Sequence, residues 1–227
     1  AKELLYVVVF LRPLWPPTFK VIGVEPAAAA SMTAAMEKGE PVTLPSANTI
    51  ADGTAVKRVG ETIFPYCQEN IHKILTVEDN ELIGAFLDMV ENHKMIVENS
   101  GLLPVAALSQ LDLKGKKAVV VLSGGNMDVI TMSSVVQHGL IQKDRIFSVS
   151  VLLPDKAGEL VKVASIIAKE NGNVIKLEHN QFVSINRINA VELRVTMEAY
   201  GTEHKLAILK ALKDGGYEPE LVDTKLY

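Results

Sequence analysis

The 227-residue sequence has a single cysteine, Cys67. No intrachain disulfide can form, and cysteine-rich zinc sites are excluded. That usage fits a reducing, cytoplasmic setting, with Cys67 expected as a packed thiol rather than a reactive one. Charge of one sign is also lacking. Lys and Arg number 23 against 27 Asp and Glu, for a formal net charge of −4, and no basic cluster interrupts the chain. A nucleic-acid partner, which needs a basic face, is not expected. No apolar run approaches the ~20 residues of a membrane span. Residues 4–11 (LLYVVVFL) are apolar, but Pro13, Pro16 and Pro17 follow at once and no small-residue cleavage site lies close behind. A buried strand or frayed terminus describes them better than a signal peptide. Aromatic residues are scarce at 5 %, yet hydrophobic residues reach 48 %, enough for one or two ordinary globular domains.

Within residues 18–143, short apolar strands alternate with helical patterns. Residues 20–25 (KVIGVE) predict a strand, and 27–39 a helix closed by Gly39. Residues 40–66 are loop-like, with Pro41, Pro45, Gly53, Gly60 and Pro65. Thr76 to Asp79 has the form of a capping box. The helix it opens carries Leu82, Ile83, Phe86, Leu87 and Val90 on one stripe. Further along, 95–98 predicts a short strand and 102–111 a helix with Pro104 in its first turn. The all-apolar 118–122 (AVVVL) predicts a strand covered on both faces, and 126–139 a helix closed by Gly139. The pattern is an α/β layered fold with a mostly parallel sheet. The apolar run 118–122 ends on Ser123, Gly124, Gly125 and Asn126, and such a strand end is where open α/β sheets place ligands.

The pattern changes near Lys143. In 146–153, Phe147, Val149, Val151 and Leu153 alternate with Ser148 and Ser150, as in a sheet with one covered face. A helix over 159–172, strands over 173–181 and 190–199, a helix over 203–216 and a strand over 217–222 follow. The order β-α-β-β-α-β predicts one antiparallel sheet with two helices on one face, the ferredoxin-like arrangement. The junction falls at about 140–145. His179 and His204 have no metal-ligand spacing and are expected to be solvated or structural.

Asp155, Gly158 and Leu160, followed by Gly172, Asn173 and Val174, give residues 146–223 a resemblance to the ACT domain, a small regulatory module that senses amino acids. Lys156-Ala157 stands where that family often has Arg-Pro. The resemblance implies an amino-acid effector at Asp155, Gly158, Leu160, Asn173 and Val174, and sheets that pair edge to edge in a homo-oligomer. The residues suit that role. Gly158 lets backbone approach a ligand, the following helix start offers N–H groups to a carboxylate, and Asn173 offers donor and acceptor. Alternatively, Gly158 is a tight turn and Asn173 a left-handed helix exit.

KVIGVEP, TIADGTAVKRVGE, the stretch Glu98-Asn99-Ser100-Gly101 and VVVLSGGN follow one another as in the threonine dehydratase (threonine ammonia-lyase) family. Those are pyridoxal-phosphate lyases of the tryptophan-synthase β-like fold, with serine racemase among their relatives. The resemblance implies pyridoxal 5'-phosphate as cofactor, an amino acid as substrate, and loss of the α-proton and β-hydroxyl of L-threonine to give 2-oxobutanoate and ammonia. Ser123 matches the serine that hydrogen-bonds the pyridine nitrogen. A hydroxyl there delocalises carbanion character less than a carboxylate would, which suits loss of a β-hydroxyl. Gly124 leaves room for the ring, Asn126 can start the next helix, and Gly53 lies in a loop near cofactor and substrate, with Asp52 able to act as a turn former. Glu25 aligns with a carboxylate that some relatives use to hold a cation, but its partner acid falls at Ser31, so no metal is expected.

Two features of the family are missing. The lysine that forms the Schiff base has only an imitation in Thr18-Phe19-Lys20, which runs straight into the strand. Bulky VVVFLRPLWPPT stands where glycines should bind the phosphate. The expected organisation is therefore residues 1–17 foreign to the family, 18–143 a carboxy-terminal portion of the catalytic domain, and 144–227 an ACT regulatory domain. The chain alone is expected to be inactive, and no catalytic residue is assigned within it. The alternatives are an amino-acid-binding module without turnover, or a related serine dehydratase or serine racemase.

Overall fold

The structure is a computed structural model that describes Pro16, residues 19–181 and residues 191–224. The apolar run 4–11, nearly all of the segment 1–17 and the polar loop 182–190 lie outside the described residues. The chain divides into two compact units, residues 1–136 and 137–227.

In the first unit, β1 (Ile22–Pro26) pairs in parallel with β2 (Lys73–Val77), from Ile22 opposite Lys73 to Pro26 opposite Val77. Helix α1 (Ser31–Lys38) ends as predicted at Gly39, whose φ of +79° lets its N–H turn back to the Ala35 carbonyl at 2.8 Å. The residues 40–66 are largely irregular, but helix α2 (Phe64–Asn70) begins inside them, with Pro65 in the first turn where its missing N–H costs nothing. Helix α2 packs on α1 through Met32, Ala35, Phe64 and Cys67.

A second core gathers Val77, helix α3 (Asp79–Asp88) and helix α4 (Asn99–Ala106). The predicted stripe holds: Leu82, Phe86 and Leu87 are buried. Each such side chain contributes about 1.5–3 kcal/mol. The capping box sits two residues further on than expected. Thr76 belongs to β2, and the Glu78 N–H donates to Glu81 Oε2 at 2.8 Å. Likewise α4 starts at Asn99, which puts Pro104 inside the helix rather than in its first turn. Helix α5 (Val129–Gln142) runs through Gly139 instead of stopping there, and starts after Asp128, not Asn126. Asp128 accepts the Thr131 N–H at 2.9 Å.

Two predicted strands are not formed. Residues 95–98 and 118–122 are irregular, and Val119 is 80 % exposed. The first unit's sheet consists of β1 and β2 among the described residues, and neither run is hydrogen-bonded into it. A strand exists by its ladder, so an apolar run without ladder hydrogen bonds is irregular whatever its propensity.

The second unit matches its expectation closely. Strands β3 (Ile146–Leu153), β4 (Asn173–Asn180), β5 (Val191–Glu198) and β6 (Glu220–Val222) form a sheet in the order β4-β5-β3-β6, antiparallel throughout. Helices α6 (Glu159–Lys169) and α7 (Thr202–Asp214) send Val163, Ile167, Ile208 and Leu212 into one core with Phe147, Val149, Val151 and Leu153. On the opposite face the hydroxyls of Ser148 and Thr196, paired across β3 and β5, meet at 2.7 Å and are buried. The left-handed exit of α6 is made by Asn171, at φ +61°, and not by Asn173, which opens β4.

Candidate functional site

Three stretches singled out from the sequence meet in the first unit. The first is 49–53. Asp79, at the start of α3, accepts the Thr49 hydroxyl and the Ile50 N–H, and so ties the loop to the helix. Asn99 reaches the same loop, donating to the Ile50 carbonyl at 3.1 Å. Asp52 does form the turn, accepting the Gly53 N–H at 2.8 Å.

The second stretch is the first turn of α4. The Glu98 carbonyl accepts the Gly101 N–H at 2.9 Å. Asn99 and Ser100 are only 5 % and 4 % exposed, yet Asn99 Oδ1 and Ser100 Oγ have no hydrogen-bond partner among the described residues. Orphaned buried oxygens are uncommon, because each forfeits hydration worth about 1–3 kcal/mol.

The third stretch is 123–124. The Glu98 N–H donates to the Gly124 carbonyl at 3.2 Å. Gly101 has no side chain where the Ser123 carbonyl rests, and a β-carbon there would overlap it. Gly124, at φ +82°, is covered by the Glu98 carboxylate in the same way. A β-carbon on Gly53 would lie 2.7 Å from Ser100 Oγ. Gly53, Glu98, Ser100, Ser123 and Gly124 thus share one place. The Ser123 hydroxyl is half-buried and has no protein partner among the described residues.

Sequence reasoning selected Ser123, Gly124 and Gly53 but not Asn99, Ser100 or Asp79. The signal for the first two was present in the Glu98-to-Gly101 stretch. Their polarity in an apolar helix start becomes informative only once burial is known.

Glu25 has a different task from the one its alignment suggested. Both its oxygens face the start of α1, accepting the Met32 N–H at 2.8 Å, the Thr33 N–H at 2.8 Å and the Thr33 hydroxyl at 2.9 Å. It is an anion on the positive end of a helix, with its lone pairs engaged. Burial outweighs these bonds and raises its pKa. No group of three or more metal-ligating side chains occurs among the described residues. The Cys67 thiol is fully buried, and desolvation with the nearby Glu25 charge pushes it up to about 11, so it stays protonated and inert.

In the second unit the five residues expected to bind an effector fall into two groups. Asp155, Gly158 and Leu160 lie at the end of β3 and the start of α6, with Gly158 at φ +93°. Asn173 and Val174 open β4, level with Glu198 and Met197 at the other end of the sheet. A strand of this length separates them by about 20 Å. His204 is structural, accepting the Tyr200 N–H at 3.0 Å, while its other ring nitrogen meets the Glu170 carbonyl. His179 is exposed on β4. No helix among the described residues is long and apolar enough to cross a membrane.

Residues 7–124 match the family described as pyridoxal-phosphate dependent enzyme. An L-threonine ammonia-lyase of Geobacter sulfurreducens is 37 % identical over 211 residues, covering 92 % of this chain and 52 % of the relative. The processed form of threonine deaminase isoform 2 from Solanum lycopersicum superposes with a TM-score of 0.50 at 33 % identity, over 56 % of this chain and 38 % of that one. Maize serine racemase does so with a TM-score of 0.53 at 28 % identity, over 60 % and 45 %. The chain spans about half the length of the curated relatives it matches, 52 % for each of the first two. The order of motifs, their meeting at Ser123 and these likenesses agree: the chain belongs to the pyridoxal-phosphate dependent enzyme family, in which its relatives are threonine ammonia-lyases and threonine dehydratases.

Proposed function

We propose that this chain supplies the ring-holding part of an L-threonine ammonia-lyase, joined to an amino-acid-sensing unit. The observation that carries this reading is the meeting of Gly53, Glu98, Ser100, Ser123 and Gly124 at one place. These residues fit the ring end of pyridoxal phosphate. Ser123 has a hydroxyl free to donate to the ring nitrogen, while Ser100 and Glu98 occupy the space that the missing side chains of Gly53 and Gly124 leave. When bound, the cofactor supplies the electron sink for breaking bonds at the α-carbon of the amino acid. Ser123 tunes that sink by offering a neutral donor.

The lysine and the phosphate-binding glycines of the family have no counterpart among the described residues. Lys20 is exposed and precedes β1 rather than entering the site. On this reading the chain acts as a carboxy-terminal portion of the enzyme, in the cytoplasm and as a homo-oligomer, and does not turn threonine over by itself. The ferredoxin-like second unit supports the sensing role, which would couple an amino-acid signal to activity by favouring one conformation. The missing lysine favours a second reading, in which the chain binds an amino acid without any chemistry.

The test is to mix the chain with pyridoxal phosphate, reduce with borohydride, map modified lysines by mass spectrometry, and assay L-threonine and L-serine for keto-acid release. Saturable binding that Ser123→Ala weakens, with no stoichiometric lysine adduct and no product, supports the proposal. Absence of saturable binding leaves the module without chemistry. A single stoichiometric adduct with turnover overturns the inactive-alone reading and points to Lys20. Faster release from L-serine moves the assignment to a serine dehydratase.

A further inference from the structure

We propose that Asp79 is a positioning residue for the ring end of the cofactor, setting where the Gly53 backbone stands against Ser100. This rests on the reading of Gly53, Glu98, Ser100, Ser123 and Gly124 as that end of the site. Asp79 opens α3, and both its carboxylate oxygens are taken by a loop that lies 30 residues earlier in the chain. Oδ1 accepts the Thr49 hydroxyl, and Oδ2 accepts the Ile50 N–H at 3.1 Å. Helix capping does not account for this arrangement. The start of α3 is already closed by the reciprocal box of Glu78 and Glu81. The Asp79 carboxylate is therefore left over for the loop.

The bonds continue from Thr49 into the loop. With its proton given to Asp79, the Thr49 oxygen accepts the Ala51 N–H at 3.2 Å. The Ala51 carbonyl then accepts the Thr54 N–H at 3.0 Å and the Thr54 hydroxyl at 2.9 Å, closing a turn that has Gly53 inside it. Ala51 itself is fully buried in the core with Val77, Leu82 and Phe86. From the other side Asn99 of α4 holds the Ile50 carbonyl at 3.1 Å. Residues 49–51 belong to no helix or strand, so side chains of α3 and α4 do for their backbone what a ladder does elsewhere. Gly53 is thereby held where a β-carbon would lie 2.7 Å from Ser100 Oγ, and a small shift of the loop changes that spacing. Bonds to an ionised carboxylate are stronger than neutral ones, which makes Asp79 the strongest hydrogen-bonded tie on the loop. A misplacement of about 1 Å caused by a residue remote from the chemistry is enough to cost a site much of its rate.

The experiment compares the full chain with Asp79→Ala, Thr49→Val, Thr49→Ser and the double variant Asp79→Ala with Thr49→Val. Fluorescence titration gives the affinity for pyridoxal phosphate. Backbone amide shifts report on residues 50–54 and 100 without cofactor, and urea unfolding gives stability. Asp79→Ala and Thr49→Val should each move the Gly53 and Ser100 amides and weaken pyridoxal phosphate about five- to ten-fold. Thr49→Ser keeps the hydroxyl and should restore both. The double variant should bind no more weakly than the weaker single one, because both residues serve one chain of bonds. If Asp79→Ala fails to fold, the two Thr49 variants against the unaltered chain decide the matter. Affinity unchanged in Asp79→Ala and Thr49→Val, with only the urea midpoint lowered, overturns the positioning role and leaves the ring-end reading standing. No saturable binding by the unaltered chain overturns the ring-end reading and this proposal together.

Discussion

The carbonyl oxygen of Ser123 rests against the α-carbon of Gly101, in space that a β-carbon would occupy. One residue's lack of a side chain therefore makes room for the other's backbone. Gly101→Ala forces backbone against backbone, with no flexible side chain to give way. It should destabilise the first unit by about 1–3 kcal/mol and displace 123–124. Urea unfolding measures the first effect, and amide exchange at Gly124 the second. An unchanged unfolding midpoint would show that α4 slides to accommodate the methyl group.

Ser123 itself should be replaceable without loss of fold. Its hydroxyl is half-buried and bonds nothing in the protein among the described residues. Ser123→Ala should change stability by less than about 0.5 kcal/mol. Pyridoxal phosphate should bind about three- to ten-fold more weakly, the worth of one hydrogen bond. Fluorescence titration alongside thermal unfolding separates the two outcomes.

The buried hydroxyls of Ser148 and Thr196 satisfy each other. Ser148→Ala strands the partner hydroxyl and should cost about 1–3 kcal/mol. Ser148→Ala with Thr196→Val removes both polar groups and should cost less than the sum of the single changes. A double-mutant cycle in urea reads the coupling, and strict additivity would count against the pair.

Two carboxylates should act oppositely with pH. Lys205 donates to Asp144 at 2.7 Å and Thr202 adds a second bond, holding the Asp144 carboxyl below its ordinary value of 3.8. Its contribution is present above 3.8 and is lost as pH falls through the depressed folded value. Asp144→Asn keeps a residue tolerant of the φ of +55° found there and should remove that acid-side loss in the second unit.

Glu25 is raised by burial, so its neutral form is the one the fold prefers. Stability linked to it is full below the ordinary 4.5 and declines as pH rises through the raised folded value. Glu25→Gln should flatten that decline in the first unit. It should also cost about 1–3 kcal/mol, since one of the helix N–H groups loses its acceptor. Unfolding midpoints from pH 4 upward check the sign.

The site was legible as three separate motifs. Ser123, Gly124 and Gly53 could be chosen because the motifs around them resemble those of a family that places its cofactor there. Ser100 could not be weighed, because an orphaned oxygen is a property of burial. The effector residues Asp155 and Asn173 belong to one sequence resemblance, yet a strand's length divides them, a separation that pairing register decides.

Local pattern by itself determined the second unit. Period-two alternation in β3, one apolar face on each helix and glycines at the turns leave a single consistent arrangement, because β3, β5 and both helices bury their apolar faces in one shared core. It also determined α1 and the buried face of α3. Tertiary structure alone decided the fate of AVVVL, since strand formation needs a partner's N–H and C=O groups. It alone turned Glu25 from a possible cation ligand into the acceptor at a helix start. Which lone pairs are already engaged depends on where α1 begins in space, and no spacing along the chain records that.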